Sequence, residues 1–118
     1  MRMNIQIFGT KKSSDTRKAE RWFKERRIKA QFIDLNDKGI SRGELRSAAQ
    51  AAGGLDALID PECRDLDALA MVQYIAPAQR EDALLERPQV LRQPIVRNGK
   101  KAAVGYRPEI YAAWQAEE

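Results

Sequence analysis

A run of hydroxyl and cationic side chains near the start of the chain is the feature best suited to chemistry. It reads Lys11-Lys12-Ser13-Ser14-Asp15-Thr16-Arg17. Ser13, Ser14 or Asp15 can cap a helix by accepting a hydrogen bond from one of its first N–H groups. A helix N-terminus also attracts anions, and the three cations of the run add positive charge. The segment therefore predicts a plain helix cap or a small-anion site, and the first does not exclude the second.

Other chemistry is excluded by composition. The chain has no histidine and one cysteine, Cys63. Histidine-based acid–base catalysis, an internal disulfide and a dithiol mechanism within one chain are therefore ruled out, and a metal site is not expected. Cys63 lies between predicted elements with Glu62 and Asp65 nearby, so we interpret it as a structural thiol rather than a nucleophile.

Length and charge limit the class of protein. The chain has 118 residues, of which 43% are hydrophobic and 32% charged, which is typical of one compact globular domain. The net charge is +4, but basic and acidic residues are interspersed, so we expect no specific nucleic-acid binding. No apolar run is long enough for a membrane span or a secretory signal, so we expect a cytoplasmic protein with no membrane partner.

The elements that would position the serines form a strand–helix–strand unit. A strand ends at Gly9, and a helix follows with Ala19, Trp22 and Phe23 on one face, ending near Arg27. Residues 31–35 read as a second strand, parallel to the first. A capping-box pattern at Ser41-Arg42-Gly43-Glu44 then begins a helix that stops at Gly53-Gly54.

The rest of the chain predicts helices and then a hairpin. Residues 55–87 are helical in character, with Leu66, Leu69 and Ala70 on one apolar face. Asn98-Gly99 is a hairpin turn between two strands, and a last helix begins at Pro108. The order predicts an α/β, thioredoxin-like fold with a mixed sheet. We expect one domain over residues 1–118, with a helical insertion at about 37–88.

Three segments resemble the arsenate reductase (ArsC) and Spx family. Residues 7–19 resemble its first strand, active-site loop and first helix. Leu91-Arg92-Gln93-Pro94-Ile95-Val96 resembles the start of a later strand. Gly105-Tyr106-Arg107-Pro108-Glu109 resembles the turn before its last helix. The resemblance covers the chain from about Asn4 to Trp114 and implies the same thioredoxin-like fold.

The resemblance implies reduction of an oxyanion, or thiol sensing, through a cysteine at the N-terminus of the first helix. Ser13 stands at that position, and Thr16 stands where the second cysteine of an Spx-type pair would be. The oxyanion-binding arginines are replaced by Gln93 and Tyr106, and a mid-chain arginine has no match near Asp60. A serine hydroxyl has no redox chemistry, so we expect no thiol catalysis and name no catalytic residue.

Several residues remain candidates for a weak anion- or ligand-binding cleft. They are Lys12, Ser13, Ser14, Arg17, Arg92, Gln93, Pro94 and Arg107. The resemblance also implies a cis peptide bond before Pro94, whereas an ordinary proline at the start of an edge strand is the alternative. The cations around the hairpin form either an anion-binding surface or a solvated rim. They are Arg92, Arg97, Lys100, Lys101 and Arg107.

Three functions follow from the resemblance. The first is an arsenate reductase-like binding protein without thiol redox catalysis, whose ligand is a small anion or glutathione, with no other cofactor. The second is an Spx-like regulator that binds the α subunit of RNA polymerase, to which a glycine of the helical insert contributes. Gly53-Gly54 lies near that place. The third is a glutathione-dependent reductase of an oxyanion.

Overall fold

A computed structural model describes residues 3–118. The strands are β1 (Ile5–Gly9), β2 (Ala30–Asp34), β3 (Ile95–Asn98) and β4 (Lys101–Val104). The helices are α1 (Ser14–Glu25), α2 (Arg42–Ala52), α3 (Leu66–Tyr74), α4 (Arg80–Glu86) and α5 (Pro108–Ala116). Short 3-10 turns lie at Leu55–Leu58, Pro77–Gln79 and Pro88–Val90. None of the helices formed by the described residues has the length and apolar character needed to cross a bilayer.

The four strands form one mixed sheet in the order β2-β1-β3-β4. β1 pairs in parallel with β2, with Ile7 opposite Phe32, and antiparallel with β3, with Ile7 opposite Val96. β3 and β4 are antiparallel. The predicted α/β class and mixed sheet are confirmed, and both β2 and β4 are edge strands.

Strand alternation separates two apolar clusters across the sheet. Ile7 of β1 belongs to a cluster with the aromatic residues of α1 and α5, namely Trp22, Phe23, Tyr111 and Trp114. Phe8 of β1 belongs to the other cluster, which it shares with the helices between β2 and β3. Successive strand residues point to opposite faces, so each face requires its own helical layer. The aromatic residues are core contacts, as their helical spacing predicts.

The segment between β2 and β3 is helical as expected, but the apolar face of α3 differs from the prediction. Leu66 is 71% exposed, and Ala70 is also exposed. The buried residues of α3 are Ala68, Leu69 and Val72. Leu66 is the first helical residue after the cap Asp65, and it lies off the side of the helix that these three buried residues form.

The hairpin turn lies one residue later than Asn98-Gly99 predicts. Asn98 pairs with Lys101, so Gly99 and Lys100 form the two-residue loop. Gly99 has a φ of 61°, and a glycine at the first central position suits a two-residue hairpin turn. Asn98 instead ends β3, and its side-chain oxygen accepts a 2.9 Å hydrogen bond from the Asn4 amide.

Candidate functional site

Ser13 is the N-cap of α1. Its φ and ψ of −78° and 120° are extended, and its hydroxyl oxygen accepts a hydrogen bond from the Thr16 amide at 3.2 Å. The Ser13 amide donates to the Thr10 carbonyl at 3.1 Å, which closes the turn between β1 and α1. Of the three candidate caps, Ser13 is therefore the one used. Its side-chain oxygen lies at the positive end of α1.

Gln93 connects the start of β3 to the turn that precedes Ser13. Its side-chain oxygen accepts hydrogen bonds from the Thr10 amide at 2.8 Å and from the Thr10 hydroxyl at 3.0 Å. The peptide bond between Gln93 and Pro94 is cis, which confirms the prediction. Gln93 thus holds the Ser13 turn with a neutral acceptor.

A cleft of about 820 Å³ opens beside this turn. Gln93, Arg92 and Arg107 line it, together with Gly105 and with Asp15 from the first turn of α1. Arg92 donates through Nε to the Ala57 carbonyl at 3.0 Å, and Arg107 donates through Nε to the Val104 carbonyl at 3.2 Å. These bonds orient both guanidinium groups. Their terminal nitrogens have no protein acceptor among the described residues, so they are available to a ligand.

Three carboxylates line the same cleft, and the sequence predicts none of them as a ligand-binding residue. Asp60 and Glu62 line it from the segment before α3, opposite Asp15. The Arg92 amide donates to the Leu58 carbonyl at 2.7 Å, and the Asp60 amide donates to the Val90 carbonyl at 2.8 Å. This pairing joins parts of the chain some thirty residues apart in sequence, which no local pattern reveals. The cleft is therefore mixed in charge rather than uniformly basic.

Some predicted site residues lie away from the cleft. Lys12 and Ser14 are exposed, and neither lines it. Ser13 is half-buried and does not line it either. Arg17 donates to the Lys11 carbonyl at 2.5 Å and lines a different groove. Pro94 is buried, and its carbonyl accepts a hydrogen bond from the Gly105 amide at 2.8 Å. Of the candidate set, the cleft brings together Arg92, Gln93 and Arg107.

The cations of the hairpin do not form one surface. Arg97 donates to the Gln6 side chain at 3.0 Å and lies 3.9 Å from the Glu44 carboxylate. Lys101 is ion-paired with Glu117. Only Arg92 and Arg107 of that set reach the cleft. The remaining cations have partners elsewhere or belong to the exposed rim.

Thr16 and Cys63 are both buried but differ in their surroundings. The Thr16 hydroxyl has no hydrogen-bond partner among residues 3–118 and packs against Gly9. A Cβ at Gly9 would lie 2.4 Å from that oxygen, so β1 and α1 can approach this closely only with glycine there. The Cys63 sulfur lies 3.4 Å from the Gln89 carbonyl and does not line the cleft.

The fold is that of a thioredoxin-like α/β protein with a helical insertion, and a cleft lined by Arg92, Gln93 and Arg107 lies beside the turn before α1. The family model described as ArsC family matches residues 8–114. The chain therefore belongs to the ArsC family, as the three sequence segments indicate.

The proteins similar to this chain include a transcriptional regulator and arsenate reductases. A global transcriptional regulator, Spx 2, from Oceanobacillus iheyensis is 29% identical over 106 residues, which cover 88% of this chain and 78% of that protein. An arsenate reductase from Vibrio cholerae has a TM-score of 0.78 and 22% identity, and the match covers 96% of this chain and 98% of that one. An arsenate reductase (ArsC) related protein from Brucella melitensis has a TM-score of 0.65 and 21% identity, over 96% and 95% of the two chains. The two structural matches show the fold.

Proposed function

We propose that this protein is an ArsC-family binding protein without thiol redox chemistry. It holds a small thiol-bearing peptide such as glutathione in the cleft beside the N-terminus of α1. The observation that carries the proposal is the Ser13 hydroxyl at the N-cap of α1, hydrogen-bonded to the Thr16 amide. The position implied for the family's thiol is thus occupied by an oxygen that stays protonated in water and undergoes no redox reaction.

The charges of the cleft support a zwitterionic ligand over a simple oxyanion. Glutathione carries two carboxylates and one ammonium group. The carboxylates complement Arg92 and Arg107, and the ammonium complements Asp60 and Glu62. A small anion would be repelled by these two carboxylates and by that of Asp15, which also lines the cleft. Because the charged groups are solvent-accessible, binding is expected to be weak, at about millimolar.

A titration of the isotope-labelled protein followed by amide chemical shifts tests this proposal. Reduced glutathione should shift the amides of Asp15, Gln93 and Gly105 and bind at least about threefold more tightly than phosphate or arsenate. Arg107→Gln should weaken binding, whereas Arg21→Gln, which removes the same charge away from the cleft, should not. Equal binding of phosphate and glutathione, or no shifts in the cleft, would refute the proposal.

Arsenate reduction is expected to be absent. No measurable turnover should occur with glutathione and glutaredoxin as the reducing system, because Ser13 cannot form the thiol intermediate. Turnover above a heat-inactivated control would contradict this expectation directly.

A second candidate function is docking on the α subunit of RNA polymerase, which the likeness to Spx favours. Gly53 ends α2 with a φ of 96°, and a Cβ there would meet nothing within 4 Å, so the backbone is accessible to a partner. Gly53→Arg should abolish capture by purified α subunit if this surface docks. Gly39→Arg is the matched control, since Gly39 also has a positive φ and open surroundings. Equal capture of both variants and the parent protein would exclude this surface.

A further inference from the structure

The positive charge of the chain is concentrated on α1 and the segments beside it. Residues 11–29 contain nine of the 21 lysines and arginines but only three of the 17 acidic residues. Their net charge is +6, in a chain whose total is +4. The rest of the molecule is therefore slightly acidic, and one side carries a marked positive potential.

A groove of about 560 Å³ lies on this basic side, between α1 and β2. Arg17, Arg21 and Lys24 line it from α1, at the spacing of one helical face. Glu20 also lines the groove, with its carboxylate paired to Lys11. Its apolar lining is formed by Ile7, Ile28 and Phe32. The groove shares no lining residue with the cleft, so it is a separate surface.

The strand that borders the groove has an open edge. β2 pairs only with β1 within the described part of the chain, which leaves its other edge without a strand partner. Natural edge strands are commonly protected by lysine, proline or a bulge. The strand reads Ala30-Gln31-Phe32-Ile33-Asp34 and carries no lysine or proline. Its backbone is therefore suited to accept a further strand.

We infer that this groove and the β2 edge bind an acidic, extended peptide segment of a partner protein. The segment adds to β2 by backbone hydrogen bonds, and every second side chain faces the groove. Among these groove-facing side chains, apolar ones contact the apolar lining and carboxylates meet the cationic rim. Arg21 and Lys24 are the principal rim contacts. Lys11 already pairs with Glu20 at 2.9 Å, and Arg17 donates to the Lys11 carbonyl.

Charge and shape favour this occupant over the alternatives. A second copy of the chain would bring a second Arg21 and Lys24 to the same edge, and like charges repel. Single-stranded nucleic acid requires exposed aromatic faces for base stacking. The Phe32 ring does not provide one, because the Lys11 ammonium lies 4.2 Å from its centroid. An open strand edge, moreover, presents N–H and C=O groups, which pair with a peptide backbone and not with a phosphodiester.

Fluorescence anisotropy with three labelled probes tests the inference on the full chain. The first probe is a glutamate–valine peptide of about eight residues, long enough for one strand. Valine and glutamate alternate at every second position with serine between them, so both share one face of the strand. The second replaces valine with serine at the same charge, and the third is oligo-deoxythymidine of similar length. The glutamate–valine peptide should bind at least about tenfold more tightly than either other probe. Equal or tighter binding of the serine peptide or the oligonucleotide would overturn the inference.

Two charge-reversal variants locate the site. Arg21→Glu should weaken binding of the glutamate–valine peptide by about tenfold or more, and Lys24→Glu provides an independent second variant should the first unfold. Lys18→Glu makes the same charge change on α1 outside the groove and should alter binding by less than about twofold. The peptide should also slow hydrogen exchange of β2 amides. Equal weakening by the groove and Lys18 variants, or unchanged β2 exchange, would contradict docking at this edge.

Discussion

The Gln93 side-chain oxygen accepts two hydrogen bonds from a single residue, Thr10, whose amide lies at 2.8 Å and whose hydroxyl lies at 3.0 Å. The contact joins residues 83 positions apart in sequence and connects β3 to the turn that presents Ser13. An arginine at position 93 has no acceptor atom and could not replace it. Gln93 and Thr10 therefore join the start of β3 to the turn before α1 without a charged group.

Removing the acceptor at Gln93 should destabilise the fold. Gln93→Leu leaves both Thr10 donors without this partner and is expected to lower the free energy of unfolding by about 1–3 kcal/mol. Gln93→Glu keeps an acceptor and should be less damaging. Urea unfolding measures both effects, with Gln50→Leu as an exposed control on α2. If Gln93→Leu is no more harmful than the control, the pair contributes nothing to stability.

β1 and α1 approach closely at Gly9 and Thr16, so substitutions at these two positions should have coupled effects on stability. Gly9→Ala places a Cβ 2.4 Å from the Thr16 hydroxyl oxygen and 2.7 Å from its methyl carbon. This overpacking should cost about 1–3 kcal/mol of stability. Thr16→Ala removes both atoms, so the double variant should recover part of that loss. Thermal unfolding of the two single variants and the double variant gives the coupling energy, and strict additivity would argue against a direct clash.

Acid stability should depend on an ion-pair network between α2 and α4. Hydrogen bonds from Arg46 and then Arg42 lower the pKa of Glu81 from 4.5 to about 2. Because the pKa is depressed in the folded state, the stabilisation is present above about pH 4.5 and is lost as the pH falls towards 2. Asp82, the other carboxylate on Arg42, shares the network.

Glu81→Gln tests that network. The variant should be less stable than the parent protein at neutral pH, and the difference should shrink as the pH falls from about 4.5 towards 2. Urea midpoints measured across that range provide the comparison. A difference that stays constant with pH would mean that ionised Glu81 is not the stabilising species.

Cys63 should be dispensable for ligand binding. Its sulfur lies in the apolar cluster that contains Leu69 and Val72, and it does not line the cleft. Cys63→Ala removes one buried sulfur and should cost about 1 kcal/mol or less of stability, with the glutathione titration unchanged. Lost binding in a variant that remains folded would show a role for this thiol.

Local patterns predicted much of the fold, because capping residues, helical spacing and β-prone runs act over a few neighbours. The Ser41–Glu44 capping box is formed as the sequence indicates, with both hydrogen bonds present. The predicted hairpin turn is wrong by one residue, because β1 pairs with β3 as far as Asn98, a contact distant in sequence. The predicted apolar face of α3 is wrong at Leu66 and Ala70, because periodicity alone does not fix which side of a helix meets the core.

The site was harder to predict because its lining comes from distant segments. The arginines of the cleft were identified through the family resemblance, whereas Asp60 and Glu62 reach it through the pairing of Leu58 with Arg92. Nothing in the sequence around Asp60 indicates that contact. Nearness to Ser13 in the sequence predicts a site role for Arg17, but Arg17 lies one helical turn further along α1 and lines the groove instead.

The most direct test of the proposed site is the ionisation of a thiol placed at the N-cap of α1. In a Ser13→Cys, Cys63→Ala variant, the rate of alkylation by iodoacetamide should be measured as a function of pH. The positive end of α1 and the Thr16 amide, which now donates to the Ser13 oxygen at 3.2 Å, both favour a thiolate. The apparent pKa of the introduced thiol should therefore lie below the free value of about 8.5. A value at or above about 8.5 would show that the helix N-terminus does not act on this side chain, and it would contradict the assignment of the site to Ser13.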